Sequence, residues 1–293
     1  MNFADDDSEG QIRLKTFLQG LQKQGWIEGR NVRIDVCWAG GHAERYRTCA
    51  AELGLAPDVI LAGSGSAMPA LMEATRSVSI VFVQTADPVG TGYVASLAAP
   101  GGNATGFTQF EFSIGGKWLE LLKQVAPRLT RVAIVRDAVT PDGTALFAAI
   151  QSAAPSFGLE LTPISVRDPS EIERGVTAFA ARPEGGLIVT ASAYTAAHRD
   201  LITALAARHR LPAVYPFRYF TTGGGLISYG PEPGDQLLRA AEYVHRILNG
   251  ENPSDLPVQA ATKFQLIINL KTAKALGLNI PPSLLARADE VIE

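Results

Sequence analysis

Long apolar runs are missing from this chain of 293 residues. No stretch reaches the ~18–20 apolar residues that a membrane-spanning helix needs. An excess of positive charge is missing too: 26 Lys and Arg stand against 29 Asp and Glu, a net charge of −3. Without a clustered basic stripe the chain has no electrostatic footprint for nucleic acid. Cysteine is scarce, with Cys37 and Cys49 the two present. The preferred reading is a pair of small buried hydrophobes, a disulfide being the open alternative, and one pair alone does not fix a redox compartment. The four histidines (His42, His198, His209 and His245) stand at no zinc-ligand spacing to one another or to a cysteine, so neither a metal nor any other cofactor is expected.

Enzyme motifs are also wanting. Gly63-Ser64-Gly65 opens like a dinucleotide-binding G-x-G-x-x-G, but Met68 takes the place of the third glycine, where a bulky side chain opposes close helix–strand packing. No G-x-x-x-x-G-K-[ST] loop and no G-x-S-x-G elbow is present, so the P-loop and the nucleophile signature of α/β-hydrolases are both absent. The residues point to binding without catalysis.

What the chain has is apolar residues enough for two cores: 46% are hydrophobic and mean hydropathy is +0.09. The length fits two units of ~100–200 residues. Strand and helix patterns alternate regularly. Helical stripes are expected over Gln11–Gln24, Ala43–Leu53 and Ala67–Thr75, and strands over Val32–Trp38, Asp58–Gly63, Ser79–Val83 and Asn103–Phe107. The pattern then restarts. Strands are expected at Arg131–Val135, Leu159–Val166, Gly186–Thr190, Pro212–Pro216 and Gly225–Tyr229. Helices are expected at Gly143–Phe157, Pro169–Ala181 (capped by Ser170), Tyr194–His209 and Glu232–Leu248, and a last strand and helix fill 264–277. Short, wholly apolar strands alternating with helices predict parallel sheets covered on both faces. The fold class is therefore α/β, with two Rossmann-like, doubly wound parallel-sheet lobes. Lobe I is expected at 1–108 plus 230–257, lobe II at 109–229 plus 258–293, and a ligand cleft between them.

Parallel sheets bind ligands beyond the carboxyl ends of their strands. After Asp58–Gly63 come Ser64, Gly65, Ser66 and Ala67 at a helix start, suited to an anion or, equally, to simple capping. After Ser79–Val83 come Gln84 and Asp87, the latter able to accept from a ligand amine or to cap the next helix. Arg136 and Asp137 follow Arg131–Val135; Ser192 and Tyr194 follow Gly186–Thr190. Phe217 and Arg218 follow Pro212–Pro216, and Tyr229 ends its own strand. Aromatic walls with a few placed polar groups suit a small organic ligand.

Several segments then carry a resemblance. They are GLQKQGWIEGRNVRID (20–35), FVQTADPVGTGYVASLAAPGGNATGF (82–107), GGKWLELLKQVAP (115–127), GGLISYGP (224–231) and the C-terminal run from Leu256 to Glu293. Together they resemble the ABC-transporter substrate-binding proteins of the tryptophan/tyrosine importer type. The resemblance implies the type I periplasmic-binding fold, a hinge of several crossing segments, and a periplasmic monomer that hands a small ligand to ABC permease subunits. An aromatic amino acid or similar carboxylate is the implied solute. It places Ser64–Ala67, Gln84 and Asp87 on lobe I, Phe110 and Glu111 at the crossover, and Ser192, Tyr194, Phe217 and Arg218 on lobe II. Two other readings stand beside it: a cytoplasmic ligand-sensor domain of the same fold, and a Rossmann-type enzyme.

The family pattern has a signal peptide and an apolar first strand ahead of the loop seen here as NFADDDSEG. The opening stretch has no basic n-region and no apolar h-region. The expectation is that Met1 is internal, that the first strand of lobe I is cut to a stub, and that its two neighbours lack a partner.

Overall fold

The computed structural model describes residues 1–53, 57–138, 141–166 and 168–293, the side chains of 141 and 142 excepted. In chain order the first elements are α1 (Ser8–Lys23), α2 (Ala43–Leu53), β1 (Val59–Ala62), α3 (Met68–Ala74), β2 (Ser79–Thr85) and β3 (Ala104–Thr108). There follow α4 (Ile114–Val125), β4 (Arg131–Arg136), α5 (Pro141–Ala153), β5 (Glu160–Ser165), α6 (Pro169–Ala180) and β6 (Gly185–Val189). Next come α7 (Ala193–Ala197), α8 (Arg199–Arg208), β7 (Ala213–Tyr215), α9 (Arg218–Thr222), β8 (Ile227–Pro231) and α10 (Pro233–Leu248). The chain ends with β9 (Phe264–Asn269), α11 (Leu270–Leu276), α12 (Pro282–Leu285) and β10 (Glu290–Ile292).

The chain folds into two compact units. Unit 1 is Met1–Phe110 with Glu232–Lys263, and unit 2 is Glu111–Pro231 with Phe264–Glu293. Unit 1 holds a parallel sheet of order β1-β2-β3 among the described residues. Its middle strand, SIVFVQT, has Ile80, Val81, Phe82 and Val83 almost wholly buried, as expected of a parallel strand covered on both faces. One face packs on α1 and α10 through Phe17, Leu21, Leu237 and Val244. The other packs on α2 and α3 through Tyr46, Ala50, Met68 and Leu71. At Gly106 (φ +150°) β3 comes so near β2 that a Cβ would stand 2.0 Å from the Phe82 carbonyl oxygen; only glycine fits there.

Unit 2 is built on a sheet of order β10-β9-β8-β7-β6-β4-β5. From β8 to β5 the neighbours run parallel, and β8 pairs antiparallel with β9. The sheet is therefore mixed rather than parallel throughout. Val132, Ile134, Leu187 and Ile188 of the central strands are fully buried.

Some expected elements differ. Residues 32–38 form no strand, although Val32, Ile34, Val36 and Trp38 alternate as one. Val32 bridges Glu28, and no described strand lies alongside to complete a ladder. The end of this segment instead lies along the first residues: the Met1 amino group donates to Cys37 O (2.7 Å) and Ala39 N to Met1 O (2.9 Å). The helix expected over 194–209 is two, because His198 (φ −107°, ψ 22°) leaves helical geometry between α7 and α8. The cap of α6 is Asp168, whose carboxylate accepts from Glu171 N, and not Ser170, which lies inside the helix. Beyond α11 the chain adds α12 and β10, which the pattern did not announce.

The cysteines are also not two lone hydrophobes. Cys37 and Cys49 are joined in a disulfide that ties α2 to the 32–40 segment. Cys49 is buried, which suits the apolar reading equally well. Periodicity alone therefore did not separate the two.

Candidate functional site

The unit 1 site is built at the carboxyl ends of β1 and β2. After β1 the chain turns through Gly63 and Ser64 into a 3₁₀ turn, Gly65–Ala67, and α3 starts only at Met68. The two serines thus stand in a turn and not on a long helix, so what they offer a ligand is their hydroxyls. Ser64 takes the N-cap position, yet its side chain makes no cap hydrogen bond. Its Oγ is buried without a partner among the described residues. Plain capping therefore does not account for it.

Gly65 seats this turn on the end of β2. A Cβ there would lie 3.2 Å from Thr85 Cα and 3.3 Å from both Gln84 O and Thr85 Oγ1. Gln84 itself adopts φ +55°, a left-handed conformation that costs a non-glycine residue ~1 kcal/mol or more and tends to mark functional positions. Its Oε1 accepts from Arg13 Nη1 at 2.6 Å. A guanidinium only donates, so this contact fixes which end of the amide is oxygen. The Nε2 end therefore faces away from Arg13, buried and without a partner.

Backbone and side chains hold that geometry. Gln84 N donates to Gln236 Oε1 (3.2 Å), while Gln236 Nε2 donates to Thr108 O (2.7 Å). One buried side chain of α10 thereby clasps the ends of β2 and β3. Arg13 balances its charge against Glu9 at 2.8 Å.

Thr85 Oγ1 is likewise buried with no partner among the described residues. Tyr46 of α2 lies beside Ser64 and Ser66, and burial pushes its pKa up to about 12, those two hydroxyls partly opposing the rise. Its hydroxyl makes no hydrogen bond of full geometry. Four buried groups (Tyr46 Oη, Ser64 Oγ, Gln84 Nε2 and Thr85 Oγ1) thus gather at these strand ends. All can donate and none is charged. A buried unpaired polar group costs ~1–3 kcal/mol, so native proteins keep few of them without a reason.

The remaining expected site residues have varied settings. Asp87 Oδ1 accepts from Gly90 N (2.8 Å) and Asp87 O from Thr91 Oγ1 (2.6 Å), which makes a turn where a helix cap was the alternative. Phe110 is buried, and Glu111 O accepts from Ile114 N at the entry to α4.

In unit 2, Tyr194 and Asp137 share a neighbourhood. Burial, then the negative charges of Asp168, Glu171 and Asp137, raise the Tyr194 pKa, and its ring stacks on His198 with centroids 4.2 Å apart. Ser192 forms a capping box with Thr195. Phe217 is buried and stacks on Tyr219. Arg218 holds Glu290 with two bonds of 2.7 and 2.8 Å. Tyr229 O accepts from Trp118 Nε1 (2.7 Å), and its ring stacks on Phe264. Arg136 packs over the Phe147 ring at 4.5 Å, its Nε and Nη1 buried without described partners.

Arg13, Tyr46, Thr85 and Gln236 are the site residues that sequence reasoning passes over. Thr85 had a usable signal, a hydroxyl closing an apolar strand. Tyr46 sits mid-helix, where nothing in the periodicity separates it from core. Among the described residues no group of three His, Cys, Asp or Glu could hold a metal, and no helix is long and apolar enough to cross a membrane.

The chain is 24% identical over 271 residues to a tyrosine-binding protein of Clostridioides difficile, covering 90% of this chain and 76% of that one. A crystal structure of a conserved domain protein from Vibrio cholerae superposes with TM-score 0.90 at 26% identity, over 96% of this chain and 94% of that one. An ABC domain from Streptococcus pneumoniae in complex with L-Trp matches with TM-score 0.91 at 23% identity, over 99% and 97%. The α/β fold of the chain is shared with these structures. The family described as ABC transporter substrate binding protein matches residues 2–292, and the chain belongs to that family.

Proposed function

We propose that this protein is the solute-binding component of an ABC importer and takes an amino acid with an aromatic side chain, or a similar small carboxylate, without chemical change. The observation that carries this reading is the set of four uncharged, buried donors at the carboxyl ends of β1 and β2. A carboxylate has about four lone-pair sites and accepts only. It can satisfy several of these donors at once, and buried hydrogen bonds to a charged group are the stronger kind. The relatives bind tyrosine and L-Trp by their descriptions, which favours an aromatic amino acid. Unit 2 carries strand-end groups of its own, Tyr194, Asp137 and Arg136, that suit the side chain and charges of such a ligand. The Cys37–Cys49 disulfide suits an oxidising compartment, which supports a periplasmic protein delivering to permease subunits over a cytoplasmic sensor.

The test is a thermal-shift screen followed by calorimetry with L-tyrosine, L-tryptophan, aliphatic amino acids and sugars. An aromatic amino acid should raise the melting temperature in proportion to its saturation. A shift with sugars alone would overturn the reading.

A further inference from the structure

We infer that Tyr46 is a specificity-determining residue of the unit 1 site, selecting a ligand carboxylate over its neutral amide through Ser64 and Ser66. This rests on the carboxylate reading above. Three observations carry it. Tyr46 is 7% exposed and belongs to the same buried cluster as Ala62 and Met68, with Ala67 packed against that cluster, and these residues bracket the Ser64–Ser66 turn. Its hydroxyl lies beside both serines, and neither Tyr46 Oη nor Ser64 Oγ has a hydrogen-bond partner among the described residues. Finally, its place is fixed covalently. Cys49 lies three residues further along α2, hence on the same face, and is bonded to Cys37.

The consequence for recognition follows from hydroxyl chemistry. A tyrosine hydroxyl has one proton to give and also accepts. If it donates to a serine oxygen, that serine's own proton is free to point at the ligand. If it faces the ligand itself, it donates directly. In both arrangements the tyrosine adds a donor where the ligand ends. A carboxylate end accepts from all the donors present. An amide end has one acceptor oxygen in place of two and adds two N–H groups, which Gln84 Nε2 cannot accept and which a hydroxyl accepts only if its own proton finds another partner, so the amide pairs less completely with this set. Burial keeps Tyr46 protonated, so the donor persists throughout the physiological range.

The experiment is calorimetric titration of the whole protein with L-tryptophan and L-tryptophanamide, and with the L-tyrosine pair, for wild type, Tyr46→Phe and Ser66→Ala. Wild type should prefer the acid by tenfold or more, and Tyr46→Phe should weaken acid binding by about tenfold while leaving the amide unchanged. A purely structural role would weaken both ligands equally. An acid-to-amide ratio unchanged in Tyr46→Phe therefore overturns the inference, whatever the absolute affinities. Should Tyr46→Phe not fold, Ser66→Ala, which leaves the packing of α2 intact, must narrow the ratio instead. A wild type that binds neither ligand, or binds acid and amide alike, overturns the underlying carboxylate reading and not just the part given to Tyr46.

Discussion

At the scale of single residues, Ser64 and Thr85 should separate binding from stability. Each hydroxyl is buried without a partner, so each is a cost to the free protein and a gain to the complex. Ser64→Ala and Thr85→Val remove that cost. The melting temperature of the ligand-free protein should hold or rise, by up to ~1–2 kcal/mol of stability, while affinity for the aromatic amino acid falls about tenfold or more. A lower melting temperature with unchanged affinity would make both hydroxyls structural. Gln84→Glu gives the complementary result. It replaces the unpaired Nε2 donor with a carboxylate oxygen and puts a charge beside Arg13, so folding should be kept while a ligand carboxylate is repelled. The expected loss is ~10²-fold in affinity, read by calorimetry. Ser64 and Gln84 were legible in the sequence because each follows an apolar strand, where a chain reader looks for a site. The left-handed backbone of Gln84 was not, because its cause, the clasp to Gln236, lies 152 residues away.

Elements built on local apolar pattern were the legible ones: the buried strands of both sheets fall within a residue or two of their expected places. The failures come from forces that pattern does not carry. Residues 32–38 alternate like a strand but have no described ladder to join, and a strand exists only as part of one. The continuous helical stripe breaks at His198, whose backbone leaves helical geometry, and the apolar pattern carries no signal for that break. The antiparallel β8–β9 pair depends on how the last segment re-enters unit 2. The disulfide belongs to this scale as well, since it joins α2 to the 32–40 segment across a sequence separation of 12. A loop of that length confers about 3 kcal/mol by the chain-entropy relation. Reduction, or the Cys37→Ser/Cys49→Ser double variant, should lower the melting temperature of the protein and loosen α2. Because α2 carries Tyr46, the acid-to-amide preference should shrink in the same variant. Unaltered melting on full reduction, verified by thiol titration, would remove the disulfide from this account.

For the molecule as a whole, the buried tyrosines set an alkaline limit on stability. Burial raises Tyr46 of unit 1 to about 12 and pushes Tyr215 of unit 2 higher still. Tyr194 and Tyr243 are raised as well, burial being the first cause for both. An unfolded tyrosine titrates near ~10. Between that pH and the folded value the native chain holds protons that the unfolded chain has released, so stability falls as pH rises through this window and is complete below it. For Tyr46 alone the loss amounts to roughly 2 kcal/mol by pH 12, a sizeable part of the ~5–15 kcal/mol that folded proteins usually possess. The expected titration is therefore coupled to unfolding. The buried Tyr46 and Tyr215 ionise only as the far-UV dichroism is lost, with an abrupt rise in tyrosinate absorbance. Tyr46→Phe, having no proton to release, should shift the unfolding pH upward. A smooth titration of all seven tyrosines near the ordinary value, with the fold intact, would contradict the burial of these rings in both units.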